Sequence, residues 1–206
     1  MLIIGLTGGI ATGKSTTAQM IQAKGIPIHD ADTCVHNLLL GDGAAVREVA
    51  GAFGREILMS DGAVDRQKLG SVVFAAPEKR RLLEDILHPL VAADRDVFLA
   101  QNRTAGTPMV VLDVPLLYET GGDALCDFVI VCLTDRKTQW ARGLARPGMT
   151  MEKWEAIVSS QMPLAEKKAR ADAIIDTHNG LAAAAESLDA ILASIQRKFA
   201  QKKKVK

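Results

Sequence analysis

Gly8-Gly9-Ile10-Ala11-Thr12-Gly13-Lys14-Ser15 follows an apolar start, Met1-Leu2-Ile3-Ile4-Gly5-Leu6-Thr7. Glycine holds the first and sixth positions and Lys-Ser closes the run, which is the phosphate-binding P-loop pattern. Leu2, Ile3, Ile4 and Leu6 read as a short buried strand, and Ser15 to Lys24 as a helix closed by Gly25. The chemistry accounts for the spacing. Glycines let successive backbone N–H groups turn inward around phosphate oxygens. Lys14 supplies a point charge for the β- and γ-phosphates, and the Ser15 hydroxyl is the expected Mg²⁺ ligand. The helix adds its dipole and its free N–H groups. A bare strand–helix turn without a ligand is the alternative, and the agreement of strand, loop and helix with the motif weighs against it.

The 206 residues suffice for one α/β domain carrying a smaller inserted lobe. Apolar residues make up 48% and charged residues 24%, with no apolar run long enough to span a bilayer. The first residues lack a basic leader and are needed as a strand, which points to the cytoplasm. Cys34, Cys126 and Cys132 are odd in number and show no zinc-type pairing, so free thiols are expected. Arg197, Lys198, Lys202, Lys203, Lys204 and Lys206 crowd the tail 197–206, leaving the remainder at −5. An acidic body argues against nucleic acid as a partner, and the tail reads as a frayed, solvated terminus.

Beyond the first helix, Ile26-Pro27-Ile28-His29 reads as a second strand running into Asp30-Ala31-Asp32. In an open parallel sheet the ligand crevice lies off the carboxyl ends of the strands. One of the two carboxylates is expected to act on an attacking hydroxyl; the alternative for Asp32 is an N-cap of the next helix. Residues 33–107 read as helices only: Ala44 to Phe53, Arg66 to Phe74 capped by Asp65, one opening at Pro77, and another from Pro89 through Arg103. Such a block is long for a crossover and is expected to be an inserted substrate lobe. His88, in His88-Pro89-Leu90, falls at a joint between two of its helices, with a substrate role and a structural one both open.

Met109-Val110-Val111-Leu112-Asp113 ends in a carboxylate that resembles a Walker B ligand for Mg²⁺, or else simply closes a buried strand. Asp127 to Leu133 and Ala173 to Asp176 complete five strands. Between them lies a basic stretch in which Arg142 and Arg146 are expected to share one helix face and pair with phosphates. Solvated faces explain Lys167 and Lys168 equally well. Residues 135–165 read as a water-excluding lid, and Leu181, Leu188, Ile191, Leu192 and Ile195 as the packing face of a last helix.

Taken in order, Thr7 to Thr16, Asp30-Ala31-Asp32, His88-Pro89-Leu90, Val114-Pro115-Leu116-Leu117-Tyr118-Glu119 and Gln161-Met162-Pro163 resemble the dephospho-CoA kinases over about residues 1–195. The resemblance implies a three-layer P-loop NTPase-type fold with a five-stranded parallel sheet, a core of residues 1–32 and 108–206, a CoA lobe at 33–107 and the lid. It implies ATP as co-substrate, Mg²⁺, and transfer to the ribose 3′-hydroxyl of dephospho-CoA. By the same resemblance Asp32 handles that hydroxyl, Lys14 and Arg142 embrace the transferring phosphoryl, and Arg146 lies beside ATP. Gly9, Ile10, Ala11, Thr12, Gly13, Lys14, Ser15 and Thr16 would wrap its phosphates. Asn179 and Gly180 would lie near adenine, and His88, Leu116 and Leu117 near the acceptor. A monomer or weak homo-oligomer acting on a small molecule, away from membranes, is expected.

Two departures stand out. Ala11-Thr12 occupies the usual Gly-Ser, which is tolerable unless a positive φ is required. Arg146-Pro147-Gly148 replaces Arg-Asp-Gly. The rival readings are a kinase for a nucleoside monophosphate and a slowly hydrolysing nucleotide switch. The absence of an Asn-Lys-x-Asp segment speaks against a guanine-reading switch.

Overall fold

The computed structural model describes residues 1–74 and 76–204, with the backbone path alone at residues 198 and 200–204. The chain divides into two compact units, residues 1–28 with 108–206, and residues 29–107.

The first unit is built on β1 (Leu2–Gly8), seven residues buried without exception. Burial on both faces is what a central parallel strand requires, and it explains the unbroken apolar run. With β2 (Ile28–Asp30), β3 (Met109–Asp113), β4 (Phe128–Leu133) and β5 (Ala173–Asp176), the sheet has the order β2-β3-β1-β4-β5. The pairings of β1 with β3 and β4, and of β4 with β5, are parallel. Register sets the site: Leu6 pairs with Asp113, Gly8 with Cys132, and Leu133 with Asp176. The carboxyl ends of four strands therefore share one edge, where β1 runs into the glycine loop.

Helix α1 (Lys14–Ala23) and the C-terminal helix cover one face, burying Ile21, Ala184, Leu188, Leu192 and Ile195 against Ile4, Leu6, Val111 and Ile130. Leu117, Tyr118, Val129 and Val131 form a second apolar cluster with Met162 and Ala171. The C-terminal helix spans Gly180–Lys204. The frayed tail expected from residue 197 is thus corrected: Phe199 packs against the apolar cluster, and the helix continues to Lys204. Val205 and Lys206 lie outside the described residues. Leu181, expected on the packing face, is 66% exposed because it sits in the first turn, ahead of Ala184 where packing begins. No described helix is long and apolar enough to cross a membrane.

The second unit contains α2 (Ala31–Leu38), α3 (Val46–Phe53), α4 (Arg66–Phe74) and α5 (Pro77–Thr104). Asp65 caps α4 as expected, accepting from the amides of Gln67 and Lys68. The break expected at Pro89 is corrected: α5 is one helix with Pro89 inside it. A proline there forfeits the bond to the Asp85 carbonyl, at a cost of about 3 kcal/mol. Ile86 and Leu87, packed with Leu83 and Leu90 among the apolar residues of α2, α3 and α4, hold the flanking turns in line. Helix α2 packs on α5 within this unit, so Asp30 and Asp32 belong to it.

Candidate active site

At the carboxyl edge of β1 the chain turns through Gly9 to Gly13 and enters α1. Gly13 precedes the helix with φ 86, and no side chain caps the end. A Cβ there would lie 2.8 Å from Thr177 Cγ2, so only glycine fits. The amides of Lys14, Ser15 and Thr16 thus open a helix with its positive end uncapped, a ready anion site. Ser15 is exposed and Thr16 half-buried, while Thr12 is fully buried, its hydroxyl donating to the Gly9 carbonyl at 2.9 Å.

Ala11 has φ 60, so the positive φ on which the Ala-for-Gly departure depends is required. A left-handed alanine costs roughly 1–2 kcal/mol. Its methyl is repaid by packing: Ile10, Ala11 and Trp154 form a buried apolar cluster joined by Met149 and Ile157. Ala11→Gly should therefore change stability by no more than about 1 kcal/mol, since strain relief is offset by lost burial and backbone entropy. Ala11→Val, β-branched and too large, should cost about 2 kcal/mol or more. Thermal melts check both; a melt of Ala11→Val equal to wild type would contradict the strained geometry.

The charged groups converge by pairs. Lys14 Nζ donates to Asp113 Oδ1 at 2.7 Å, with only 12% and 3% of the side chains exposed. Arg142 lies on α6 (Arg136–Leu144) and donates through Nη1 to Thr177 Oγ1 at 2.8 Å and through Nη2 to the Thr177 carbonyl at 2.9 Å. Thr177 in turn donates to the Thr12 carbonyl at 3.0 Å. Arg142 is thereby tied to the glycine loop through one threonine. The expectation that Arg142 and Arg146 share a helix face is corrected: α6 ends at Leu144, and Arg146 sits in the turn beyond it. Asn179 and the first residue of the last helix, Gly180, are exposed. His178 beside them pairs with Asp135, the N-cap of α6. Hydrogen bonds from Thr138, joined by that imidazole, hold the Asp135 carboxyl well below its usual range.

Residues 135–165 comprise α6, α7 (Met151–Ser160) and the turn into α8 (Leu164–Arg170). They grip Ile10 from both sides: Gln139 donates to its carbonyl at 2.8 Å, and its amide donates to Gln161 at 2.9 Å.

Sequence reasoning left Lys167 open between a solvated face and phosphate contact, and the structure removes the solvated face. Lys167 is fully buried, and its ammonium donates to Pro115 O at 2.9 Å, Glu119 Oε2 at 3.2 Å and, at 3.5 Å, Gly8 O. Three acceptors match its three N–H groups, which is how a buried ammonium is tolerated. Glu119 also accepts from the Met162 amide at 2.7 Å. This explains why Val114 to Glu119 and Gln161-Met162-Pro163 belong together; no spacing rule could reveal it. Burial pushes the Glu119 carboxyl up, but the bonds from Lys167 and Met162 outweigh it and leave it lowered. The pair's stabilisation is thus present above the usual glutamate value of 4.5 and is lost as pH falls through the lower folded value. Lys167→Met should cost about 3–5 kcal/mol at neutral pH, because Glu119 is left without its cation. A urea-denaturation loss under 1 kcal/mol would contradict this.

Leu117, expected against substrate, is corrected: it is 1% exposed and fills the second apolar cluster. Leu116 is half-buried. In the second unit Asp30, not Asp32, caps α2, its Oδ1 accepting from the amides of Asp32 at 2.9 Å and Thr33 at 3.1 Å. That leaves the Asp32 carboxylate exposed on the first turn. His88 is exposed in the middle of α5.

The dephospho-CoA kinase family model matches residues 2–183. A dephospho-CoA kinase of Mesorhizobium japonicum is 50% identical over 192 residues, covering 93% of this chain and 95% of its own length. That of Rhodopseudomonas palustris strain BisB18 is 45% identical over 94% of this chain and 96% of its own. Among solved structures, a Thermus thermophilus protein superposes with a TM-score of 0.78 at 30% identity, covering 94% and 97% of the two chains. The dephospho-CoA kinase from Campylobacter jejuni gives 0.64 at 25% identity, covering 94% and 96%. The chain belongs to the dephospho-CoA kinase family, enzymes that use ATP to phosphorylate dephospho-CoA in the final step of coenzyme A biosynthesis.

Proposed function

We propose that this chain moves the γ-phosphoryl of ATP to the ribose 3′-hydroxyl of dephospho-CoA by positioning and charge neutralisation. The observation that carries this reading is the uncapped start of α1 behind Gly13, with Lys14 held at its mouth. Residues Gly9 to Thr16 wrap the ATP phosphates, with the uncapped amides at the start of α1 turned toward them. Lys14 leaves Asp113 for the β/γ-oxygens, and Arg142 shares the charge that spreads over the equatorial oxygens. Arg146 reaches ATP from the turn after α6, and Asn179 and Gly180 border the base. Ser15, exposed on the first turn, and Asp113, at the end of β3, are donors that suit Mg²⁺, which when bound supplies further neutralisation of the phosphates. Residues 135–165 act as a lid that excludes water, which would otherwise compete with the alcohol.

Asp32 accepts the proton of the attacking hydroxyl, a role its freedom from capping leaves open. His88 and Leu116 contact the acceptor. The protein works in the cytoplasm as a monomer or weak homo-oligomer. Incubation with MgATP and a panel of acceptors, followed by mass and by the position of the new phosphate, tests the reading. Phosphate gained by dephospho-CoA at the 3′ position alone is the expected result. Transfer to nucleoside monophosphates instead, or ATP hydrolysis without an acceptor, would overturn it.

A further inference from the structure

Three side chains from three elements of the second unit meet at one point. His29 comes from β2, Cys34 from α2 and Asp94 from α5. One imidazole nitrogen, the thiol sulfur and one carboxylate oxygen all lie within 4.8 Å of one another. His29 Nε2 is 2.9 Å from Asp94 Oδ2, and the Cys34 thiol is hydrogen-bonded to the same carboxylate. The two inner donors are 6% and 7% exposed, whereas the Asp94 side chain is 58% exposed. The cluster is thus closed on the protein side and reached from solvent on the other. The His29 ring rests on Phe98, centroids 5.6 Å apart, which fixes its direction. None of the three has a part in the phosphoryl transfer proposed above.

We propose that His29, Cys34 and Asp94 form a binding site for a thiophilic divalent cation of the zinc type, with water in the fourth position. The donor set is the argument. Bond lengths of about 2.0–2.3 Å to N, O and S place tetrahedral donors roughly 3.3–3.7 Å apart, a small contraction from the spread observed. A sulfur donor selects against Mg²⁺ and Ca²⁺. A divalent ion with one thiolate, one carboxylate and a neutral imidazole has no net charge, as a largely buried site demands. Without the ion, burial and then Asp94 push the Cys34 thiol up to about 12. Binding therefore breaks the S–H bond, sends that proton to solvent and forms the metal–sulfur bond. The imidazole proton moves to Nδ1, freeing Nε2 as a ligand. His29 and Cys34 bracket Asp30-Ala31-Asp32, so the ion would pin that turn to α5.

The test uses the full chain, stripped with a chelator and titrated with Co²⁺ as a spectroscopic probe. One equivalent should bind with a near-ultraviolet thiolate-to-cobalt band, be displaced by Zn²⁺, and withstand excess Mg²⁺. Cys34→Ser should abolish the band, as should Cys34→Ala if the serine variant does not fold. His29→Gln and Asp94→Asn should each weaken binding at least about tenfold, and Cys126→Ser should leave the band intact. No band in the wild type, a band surviving loss of Cys34, or unchanged affinity in both His29→Gln and Asp94→Asn would reduce the cluster to a hydrogen-bonded triad and overturn the proposal.

Discussion

Lys14→Ala is expected to lower phosphoryl transfer to dephospho-CoA by about 10³-fold or more, equivalent to about 4 kcal/mol of transition-state stabilisation. The ammonium is the one cation carried by the glycine loop itself, at the start of a helix whose amides cannot move far. Its 2.7 Å pair with Asp113 keeps it aimed at the carboxyl edge of the sheet. The same pair brings a structural cost to the substitution, since Asp113 is only 2% exposed and loses its ion pair. Turnover should therefore be measured well below the melting temperature, with Lys14→Met as a second variant that keeps the volume. Circular dichroism establishes that each is folded. A fall of less than about tenfold in both would mean that Lys14 serves Asp113 rather than the phosphates.

Asp32→Asn is expected to depress kcat by about 10²–10⁴-fold while leaving ATP affinity largely unchanged. The substitution keeps the shape of the side chain and removes only its charge. Asp30 performs the capping, with Thr33 Oγ1 also donating to its Oδ2 at 2.9 Å, so α2 should stay formed. The charge at the helix start contributes about 0.3–1 kcal/mol, too little to unfold the unit. Asp30→Ala is the complementary variant: it should cost about 1 kcal/mol of stability through the lost cap. Near-wild-type turnover of Asp32→Asn in a coupled ADP-release assay would remove Asp32 from the reaction.

Much of this architecture could be read from local pattern. The glycine loop announces itself through its spacing, although Thr177, which crowds Gly13, lies far along the chain. The apolar runs at Leu2 to Gly8 and Met109 to Asp113 are strands buried on both faces, so composition alone marks them. What escaped is what depends on distant partners. Pro89 carries a local signal for a helix start, and only the apolar contacts of Ile86 and Leu87 override it. Lys167 looks like any surface lysine until Pro115 and Glu119, about fifty residues away, close around it. Leu117 belongs to a motif associated with substrate, yet its side chain serves the sheet. An aspartate cap of α2 was legible, with Asp32 as its candidate, but the cap is Asp30.

Gly143 faces the indole of Trp154, and any side chain there would overlap the ring. Trp140 meets the same ring edge-on at 5.6 Å. With so little clearance, α6 and α7 cannot slide or hinge against each other without ejecting a tryptophan into water. If residues 135–165 move as the proposed lid, α6 and α7 would therefore travel together as a single paddle.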